Sequence, residues 1–188
     1  MRAALPAPPR RATPAAAEGG ARPDPDRNMG VTEILTPEHV SVAGAAEGVV
    51  TSKREAIHRL SVLLAQRLTV ASAGDIEHVL NERERLQSTG VGGGVAIPHG
   101  SIDRLDRTIG AVLLCPEPIP FDAIDGAPVS ILFAVIAPRR ATGEHLKTLA
   151  RVSRLLRDDG FRARLVAAPT GRDAYALIAA EEGRSTIP

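Results

Sequence analysis

The chain has 188 residues, 44% of them hydrophobic, so it can bury one substantial core and is too short for two large domains. A formal net charge of +1 and a supply of only three Phe and one Tyr disfavour nucleic-acid binding, which needs a basic field and rings that stack on bases. No apolar stretch approaches the roughly 20 residues that cross a bilayer, and the N-terminus lacks a signal-peptide core, so we expect a cytoplasmic protein without membrane insertion.

The first 30 residues differ in composition from the rest of the chain. They are rich in Pro, Ala and Arg and have no periodic apolar face. We therefore predict a disordered tail over 1–30 and one domain over 31–188. Met29 offers an alternative translation start, in which case the first 28 residues would not be translated.

Two amphipathic helices are expected in the first half of the domain. Apolar residues recur at helical spacing from 52 to 68, where Ser52 and Glu55 have the positions of a capping box. A second helix is expected over 74–86, with Arg83 one turn beyond its apolar residues. Both helices have one face that would pack on a sheet.

A glycine-rich loop and three strands are expected next. The loop over 87–94 contains four glycines, which let the backbone curl tightly and expose its N–H groups. Strands are predicted over 94–97, 109–115 and 129–137, and the last is almost continuously apolar, which is typical of a central strand. Cys115 ends the second of these apolar runs, where a buried and unreactive thiol is expected.

The C-terminal third is predicted to be helical. Thr142 has the position of an N-cap for a helix that reaches about residue 157. A further helical stretch is expected to end near 166, and a last helix covers about 170–180. Strands that alternate with amphipathic helices favour an α/β fold in which helices cover a sheet.

The heptapeptide over 94–100 carries the first candidate functional residue, His99. Pro98 fixes its own φ and favours an extended Ile97, and Gly100 would let the chain turn away without a side chain in front of the imidazole. We therefore expect an imidazole that is presented at the end of a strand rather than packed. On Pro98-His99-Gly100 alone, a histidine that merely caps a strand is the favoured interpretation.

Two further residues are candidates for the same site. His145 lies in the first turn of the helix that starts near Thr142, on the same side as Leu149. A helix N-terminus favours a neutral imidazole that donates a hydrogen bond to an anion. Arg83 precedes the glycine loop, and its guanidinium would neutralise a phosphate near His99. Taken singly, His145 is better interpreted as a histidine at the rim of the core, and Arg83 as a charge on a solvated helix surface.

Several motifs, taken in order, resemble those of one protein family. They are Glu82-Arg83-Glu84, Ser88-Thr89-Gly90-Val91-Gly92, Val95-Ala96-Ile97-Pro98-His99-Gly100, Phe121-Asp122-Ala123-Ile124-Asp125-Gly126 and Glu144-His145-Leu146. Over about 31–182 the chain resembles the fructose, mannitol and nitrogen-regulatory IIA components of the bacterial phosphotransferase system. The resemblance implies a single α/β domain with a mixed sheet flanked by helices, in three α/β/α layers.

The resemblance also implies a role for each candidate residue. His99 would be the phosphorylated residue, His145 the second active-site histidine, and Arg83 the arginine beside the phosphoryl group. The protein would accept phosphate from a phospho-HPr-like donor and pass it to a downstream regulatory target or a IIB component, with no cofactor and no metal. This agrees with elementary chemistry, since a neutral imidazole nitrogen can attack phosphorus while a cation stabilises the charge.

Three functional interpretations stay open at this point. We expect the nitrogen-regulatory branch, in which the phosphorylation state is a signal, because the chain ends soon after the domain and shows no IIB region. A free-standing IIA of a fructose-type sugar permease, which passes phosphate to a IIB cysteine, is the first alternative. A protein-binding module that keeps the fold without phosphotransfer is an alternative of another class.

Other features of the sequence predict no further site. The glycine loop lacks the Gly-Lys-Ser/Thr ending of a P-loop, and neither His99 nor His145 has a third metal ligand at a recognisable spacing. Asp122 and Asp125 are interpreted as turn residues rather than an acid/base pair. The remaining polar candidates are interpreted as solvated surface residues: Lys147, Arg151, Arg154, His39, His58 and His78.

Overall fold

The computed structural model describes residues 30–44, 48–66 and 68–185, and the account of the structure is confined to them. The predicted tail lies outside these residues apart from Gly30. In the described part of the chain, no helix is long and apolar enough to cross a membrane.

A sheet of six strands and five α-helices make up the described residues, with two short 3₁₀ turns before the first strand. The strands are β1 Val40–Val42, β2 Gly90–Gly92, β3 Val95–Ala96, β4 His99–Ile102, β5 Ile109–Ile119 and β6 Val129–Pro138. The helices are α1 Lys53–Ala65, α2 Ala73–Leu86, α3 Thr142–Leu155, α4 Asp159–Val166 and α5 Gly171–Ser185.

The sheet is mixed, and β5 and β6 form its centre as an antiparallel pair. β1 lies parallel to β5 on one side. On the other side β3 and β4 both lie parallel to β6, one after the other along its length, so that Val95 is opposite Ile131 and His99 is opposite Val135. β2 completes this edge antiparallel to β3. The predicted mixed sheet is therefore confirmed.

Helices cover both faces of the sheet because successive side chains of β5 and β6 point to opposite sides. Leu113 and Leu132 pack in one core with α1 and α2. Val112 and Phe133 pack in a second core with α3, α4 and α5. The expected arrangement of three α/β/α layers is confirmed. Cys115 is fully buried in the first core, and burial raises the pKa of its thiol to about 11.

The predicted helices are present, with differences at their ends. Ser52 caps α1 by accepting the Glu55 N–H at 3.3 Å, but the Glu55 carboxylate accepts the N–H of Thr51 instead, so only half of the expected capping box forms. The prediction of Thr142 as an N-cap is wrong, because Thr142 is the first helical residue and Ala141 precedes it without a capping side chain. Fraying and local competition for backbone groups commonly shift helix ends by a residue or two.

Three strands were not predicted, namely β1, β2 and β4, and each has four residues or fewer. Such short segments offer too few alternations of apolar and polar side chains to be recognised. β5 is four residues longer than predicted, because it continues through Pro116 and Pro118 to Ile119. The final helix also continues beyond the predicted residue 180, to Ser185.

Candidate phosphoacceptor site

His99 begins β4, and both of its ring nitrogens have partners. Nδ1 lies 2.7 Å from the carbonyl oxygen of Ile97, and Nε2 lies 3.1 Å from Nε of Arg83. A carbonyl only accepts and a guanidinium only donates hydrogen bonds. The ring is therefore neutral, with its proton on Nδ1 and a lone pair on Nε2.

Arg83 reaches His99 from the last turn of α2. A second nitrogen of its guanidinium, Nη1, donates to the carbonyl oxygen of Gln87 at 2.9 Å, just beyond the helix end. This contact satisfies one of the carbonyl groups that a helix C-terminus leaves without an internal partner. The guanidinium is thus fixed by a backbone group on one side and by the imidazole on the other.

Gly100 brings β4 close to α2. A Cβ atom at this position would lie 2.4 Å from Cγ1 of Val79, so no larger residue fits without movement. The chain does not turn away at Gly100, since it continues along β4 opposite Ile136. The predicted reason for this glycine is wrong: it allows close packing, and His99 is partly buried rather than freely presented.

His145 faces His99 from the first turn of α3. The centroids of the two imidazoles are 5.6 Å apart, with an angle of 49° between the ring planes. Nδ1 of His145 is buried and has no hydrogen-bond partner among the described residues. The structure therefore brings His99, Arg83 and His145 together, although they belong to three different elements.

Burial lowers the pKa of both histidines below the ordinary value of 6.5. For His99 loss of hydration is the main cause, and the nearby Arg83 cation adds to it, while the hydrogen bond to Ile97 acts in the opposite direction. For His145 loss of hydration is again the main cause, and His99 adds to it. Both rings are therefore neutral at pH 7, which is compatible with the roles predicted for them from the sequence.

The glycine-rich segment forms a tight hairpin rather than an open loop. Gly92, Gly93 and Gly94 all have positive φ and connect β2 to β3. The N–H of Gly93 donates to the Asp125 carboxylate at 2.9 Å, and the N–H of Gly90 donates to Oγ of Ser88 at 3.2 Å. These N–H groups are engaged, so the predicted exposed N–H groups are not available at those two positions.

A pocket of about 540 Å³ opens beside His99. Its rim includes Val91 and Ile124, whose side chains are 52% and 79% exposed. Leu149 and Ser153 of α3 also line this pocket. Exposed apolar side chains around a polar centre are typical of a surface that docks another protein.

The two aspartates have separate structural tasks. Asp125 accepts the N–H groups of Gly93 and Ala127, and these bonds lower the pKa of its carboxyl group. Asp122 lines the pocket and lies 3.2 Å from Nζ of Lys53. The contacts of Asp125 agree with its interpretation as a turn residue, whereas the contact of Asp122 joins two distant segments of the chain.

The other polar candidates are mostly exposed, with one clear exception. His39 was expected at the surface but is only 4% exposed, because the 3₁₀ turn before β1 directs it into the protein. His58 and His78 are exposed, and His58 lies 2.8 Å from the Glu77 carboxylate. Lys147 and Arg154 are exposed while Arg151 is half-buried. Within the described ranges no three His, Cys, Asp or Glu side chains cluster as a metal site would require.

Glu84 and Lys53 are residues of this region that sequence reasoning missed. Glu84 is 8% exposed and lies four residues after Leu80 on the buried face of α2. A carboxylate on a buried helix face requires a cation or several hydrogen bonds, and this pattern was a usable signal. Lys53 gives no such signal, because only the fold brings it to Glu84.

Comparisons with known proteins show the family to which the chain belongs. The family "Phosphoenolpyruvate-dependent sugar phosphotransferase system, EIIA 2" matches residues 33–181. The chain therefore belongs to this family of phosphotransferase-system components, as its motifs predicted.

Three similar proteins illustrate which members of the family the chain resembles. A nitrogen regulatory protein of Bradyrhizobium diazoefficiens is 37% identical over 151 residues, which cover 80% of this chain and 95% of the relative. A fructose-specific EIIA component of Haloferax volcanii is 31% identical, with 80% and 97% covered. The crystal structure of Nitrogen Regulatory Protein IIA-Ntr from Neisseria meningitidis superposes with a TM-score of 0.71 at 34% identity, covering 79% of this chain and 98% of that one.

Proposed function

We propose that this protein is a nitrogen-regulatory IIA protein, a histidine phosphocarrier that receives its phosphoryl group on Nε2 of His99. The observation that carries the proposal is the hydrogen bonding of the His99 ring. Its Nδ1–H is held by the Ile97 carbonyl, so the lone pair is on the nitrogen that faces Arg83. The relatives described as nitrogen regulatory proteins support the regulatory assignment.

The proposed transfer passes a phosphoryl group between two nitrogen atoms. Nε2 of His99 attacks phosphorus as the donor N–P bond breaks, and that bond's electron pair returns to the donor imidazole. The ring of His99 becomes positively charged. The hydrogen bond that its Nδ1–H donates to the Ile97 carbonyl oxygen therefore becomes stronger. The reverse sequence hands the group to the next protein, so that the phosphohistidine is an intermediate.

Arg83 and His145 would stabilise the phosphoryl oxygens. Formation of the N–P bond removes the lone pair that Arg83 now contacts, so its guanidinium is released to bind two oxygens. His145 lies across from His99 with an unfilled hydrogen-bonding capacity at Nδ1. A neutral ring that donates one hydrogen bond would stabilise the charge without repelling the cationic product ring.

The proposed donor is phospho-HPr or a close equivalent, and the proposed recipient is a regulatory target protein. The exposed apolar residues Val91 and Ile124 at the rim of the pocket support docking of a protein both as donor and as recipient. The similarity to a fructose-specific EIIA component supports a second candidate function. In that function the phosphoryl group passes to the cysteine of a IIB component. Cytoplasmic location stays a prediction.

Incubation with phosphoenolpyruvate, enzyme I and HPr tests the proposal. We expect acid-labile phosphate on the wild-type protein and none on His99→Ala. His58→Ala is the matched control, since this histidine is exposed on α1 and should leave labelling unchanged. An unlabelled wild type with active donors would refute the carrier function, and a labelled His99→Ala would refute the acceptor.

A further experiment separates the regulatory protein from a sugar-transport component. Phosphorylated protein is mixed with a purified fructose-type IIB domain, and phosphate on the IIB cysteine is followed over time. A nitrogen-regulatory protein should retain its phosphate over the period in which a fructose-specific IIA is discharged. Equally rapid discharge would favour the second candidate function.

A further inference from the structure

Glu84 is a buried carboxylate one residue after Arg83 in α2. One of its oxygens accepts the N–H and the hydroxyl of Thr89, at 2.9 and 2.5 Å. The other oxygen lies 2.6 Å from Nζ of Lys53 at the start of α1. Glu84 thus links the end of α2 to the residue before β2 and to a second helix.

Two backbone hydrogen bonds continue from Thr89 to the phosphoacceptor. The carbonyl oxygen of Thr89 accepts the N–H of Ile97 at 2.9 Å. The carbonyl oxygen of Ile97 then accepts Nδ1–H of His99 at 2.7 Å. A displacement of Thr89 would therefore move the carbonyl group that keeps the proton on Nδ1.

Consecutive residues of α2 consequently act on opposite sides of the same imidazole. Arg83 contacts Nε2 directly, and Glu84 acts on Nδ1 through Thr89 and Ile97. Because the two side chains belong to one rigid helix, the position of the guanidinium and the orientation of the ring are set together. Precise orientation of this kind can change reaction rates strongly, since misplacement by about 1 Å can reduce a rate roughly 100-fold.

Lys53 provides the charge that a buried carboxylate needs. Its side chain is 25% exposed, its ammonium also lies 3.2 Å from Asp122 on the pocket wall, and it sits 4.8 Å from the centre of the Phe121 ring. An amide at position 84 would keep an acceptor for Thr89 but would lose the ion pair with Lys53. The ion pair between Glu84 and Lys53 therefore holds the Glu84 carboxylate in the position from which it contacts Thr89.

We propose that Glu84 is a positioning residue for phosphoryl transfer, which holds His99 in the Nδ1–H tautomer through Thr89 and Ile97. The inference rests on the proposed function in so far as it concerns the transfer rate. The tautomer of His99 is a property of the unphosphorylated protein and does not require that function.

Two measurements on Glu84→Gln test the proposal. The first is the single-turnover rate of phosphoryl transfer from phospho-HPr, where we expect a loss of about tenfold or more. The second is the tautomer of His99 from ¹⁵N NMR of the ring nitrogens, where the Nδ1–H form should lose population. Lys53→Met should change both quantities in the same direction, because it leaves Glu84 without its cation.

Two control variants separate positioning from general stability. Glu82→Gln removes an exposed carboxylate of the same helix, which pairs with Arg85, and should change neither quantity. Leu80→Ala creates a cavity under α2 and should lower the free energy of unfolding while the tautomer of His99 is unchanged.

The outcomes are distinguishable from failure of the proposed function. A wild-type rate and tautomer in Glu84→Gln would overturn the positioning role, as would an equal change in Leu80→Ala. If Glu84→Gln does not fold, Thr89→Val tests the other half of the link with the same two measurements, because it removes the hydroxyl contact to Glu84 and keeps the ion pair with Lys53. If the wild-type protein accepts no phosphate, the proposed function fails, and the tautomer measurement still decides the role of Glu84.

Discussion

The two sides of the candidate site are built in opposite ways. On the His99 side, formed by Arg83 of α2 and by β4, both ring nitrogens have partners and Gly100 packs tightly on Val79. On the His145 side, formed by the first turn of α3, the helix begins without a capping side chain and Nδ1 of His145 has no hydrogen-bond partner among the described residues.

We propose that this difference reflects a division of tasks in phosphoryl transfer. An acceptor nitrogen must be aimed before the donor arrives, because orientation contributes much of the rate in group transfer. A residue that only contacts the phosphoryl oxygens gains its partner after transfer. The His99 side is therefore organised in advance, and the His145 side has hydrogen-bonding capacity that a phosphoryl group can fill.

The largest expected effect comes from removal of the cation on the His99 side. We expect Arg83→Ala to slow phosphoryl transfer about 100-fold. Removal of one fixed hydrogen-bond donor that stabilises transition-state charge commonly reduces a rate by about this factor. The measurement is the single-turnover rate from phospho-HPr. Arg85→Ala is the control, since Arg85 is exposed and pairs with Glu82. Equal effects of the two changes would show that Arg83 acts through general charge only.

Alanine substitution of one glycine on each side tests the difference in packing. Gly100→Ala should destabilise the protein by about 1–3 kcal/mol, because its Cβ overlaps the side chain of Val79. Val79→Ala in the same chain should recover part of that loss.

The matched change on the other side has the opposite expected sign. Gly143 in the first turn of α3 has no neighbour within 4 Å of a new Cβ, so Gly143→Ala should stabilise by about 0.5 kcal/mol. Urea unfolding measures both effects. If both alanines proved neutral, the two sides would be equally loosely packed.

A smaller effect on transfer is expected for the second histidine. His145→Ala should slow transfer about tenfold without preventing phosphorylation. The variant loses one hydrogen bond to the phosphoryl group, and a loss of about 1.4 kcal/mol of transition-state stabilisation reduces the rate tenfold. The single-turnover assay measures it. Complete loss of labelling in a folded His145→Ala protein would contradict the division of tasks.

The smallest effect concerns pH. Burial lowers the pKa of both His99 and His145 in the folded protein, whereas unfolded histidine keeps a pKa near 6.5. As the pH falls through 6.5 the unfolded state binds protons first, so the free energy of unfolding should decrease. The double variant His99→Gln/His145→Gln should lose less stability between pH 7.5 and 5.5. An identical pH dependence would mean that the two rings titrate normally.

Sequence patterns predicted the parts of the molecule with a long, simple apolar pattern. The central strand over 129–137 is almost continuously apolar, the helices around Arg83 and His145 have periodic apolar faces, and all three elements are present. The motif resemblance correctly identified the family and the layered fold. It also selected three residues that the structure brings together, although no periodicity relates them.

The features that were missed depend on contacts distant in sequence. Gly100 and Val79 meet across two elements, so a turn was expected where there is a close approach. In the glycine hairpin, the N–H of Gly93 donates a hydrogen bond to the carboxylate of Asp125, which lies 32 residues away in sequence. His39 is buried by a short 3₁₀ turn that has no periodic signal.

The central claim is that His99 accepts phosphate through Nε2 because Ile97 holds the proton on Nδ1. Long-range ¹H–¹⁵N NMR of the phosphorylated protein, labelled with ¹⁵N in its histidines, tests this most directly. We expect phosphorus coupling at Nε2 of His99 and a retained proton at Nδ1. Phosphate on Nδ1 of His99, or on His145, would contradict the account.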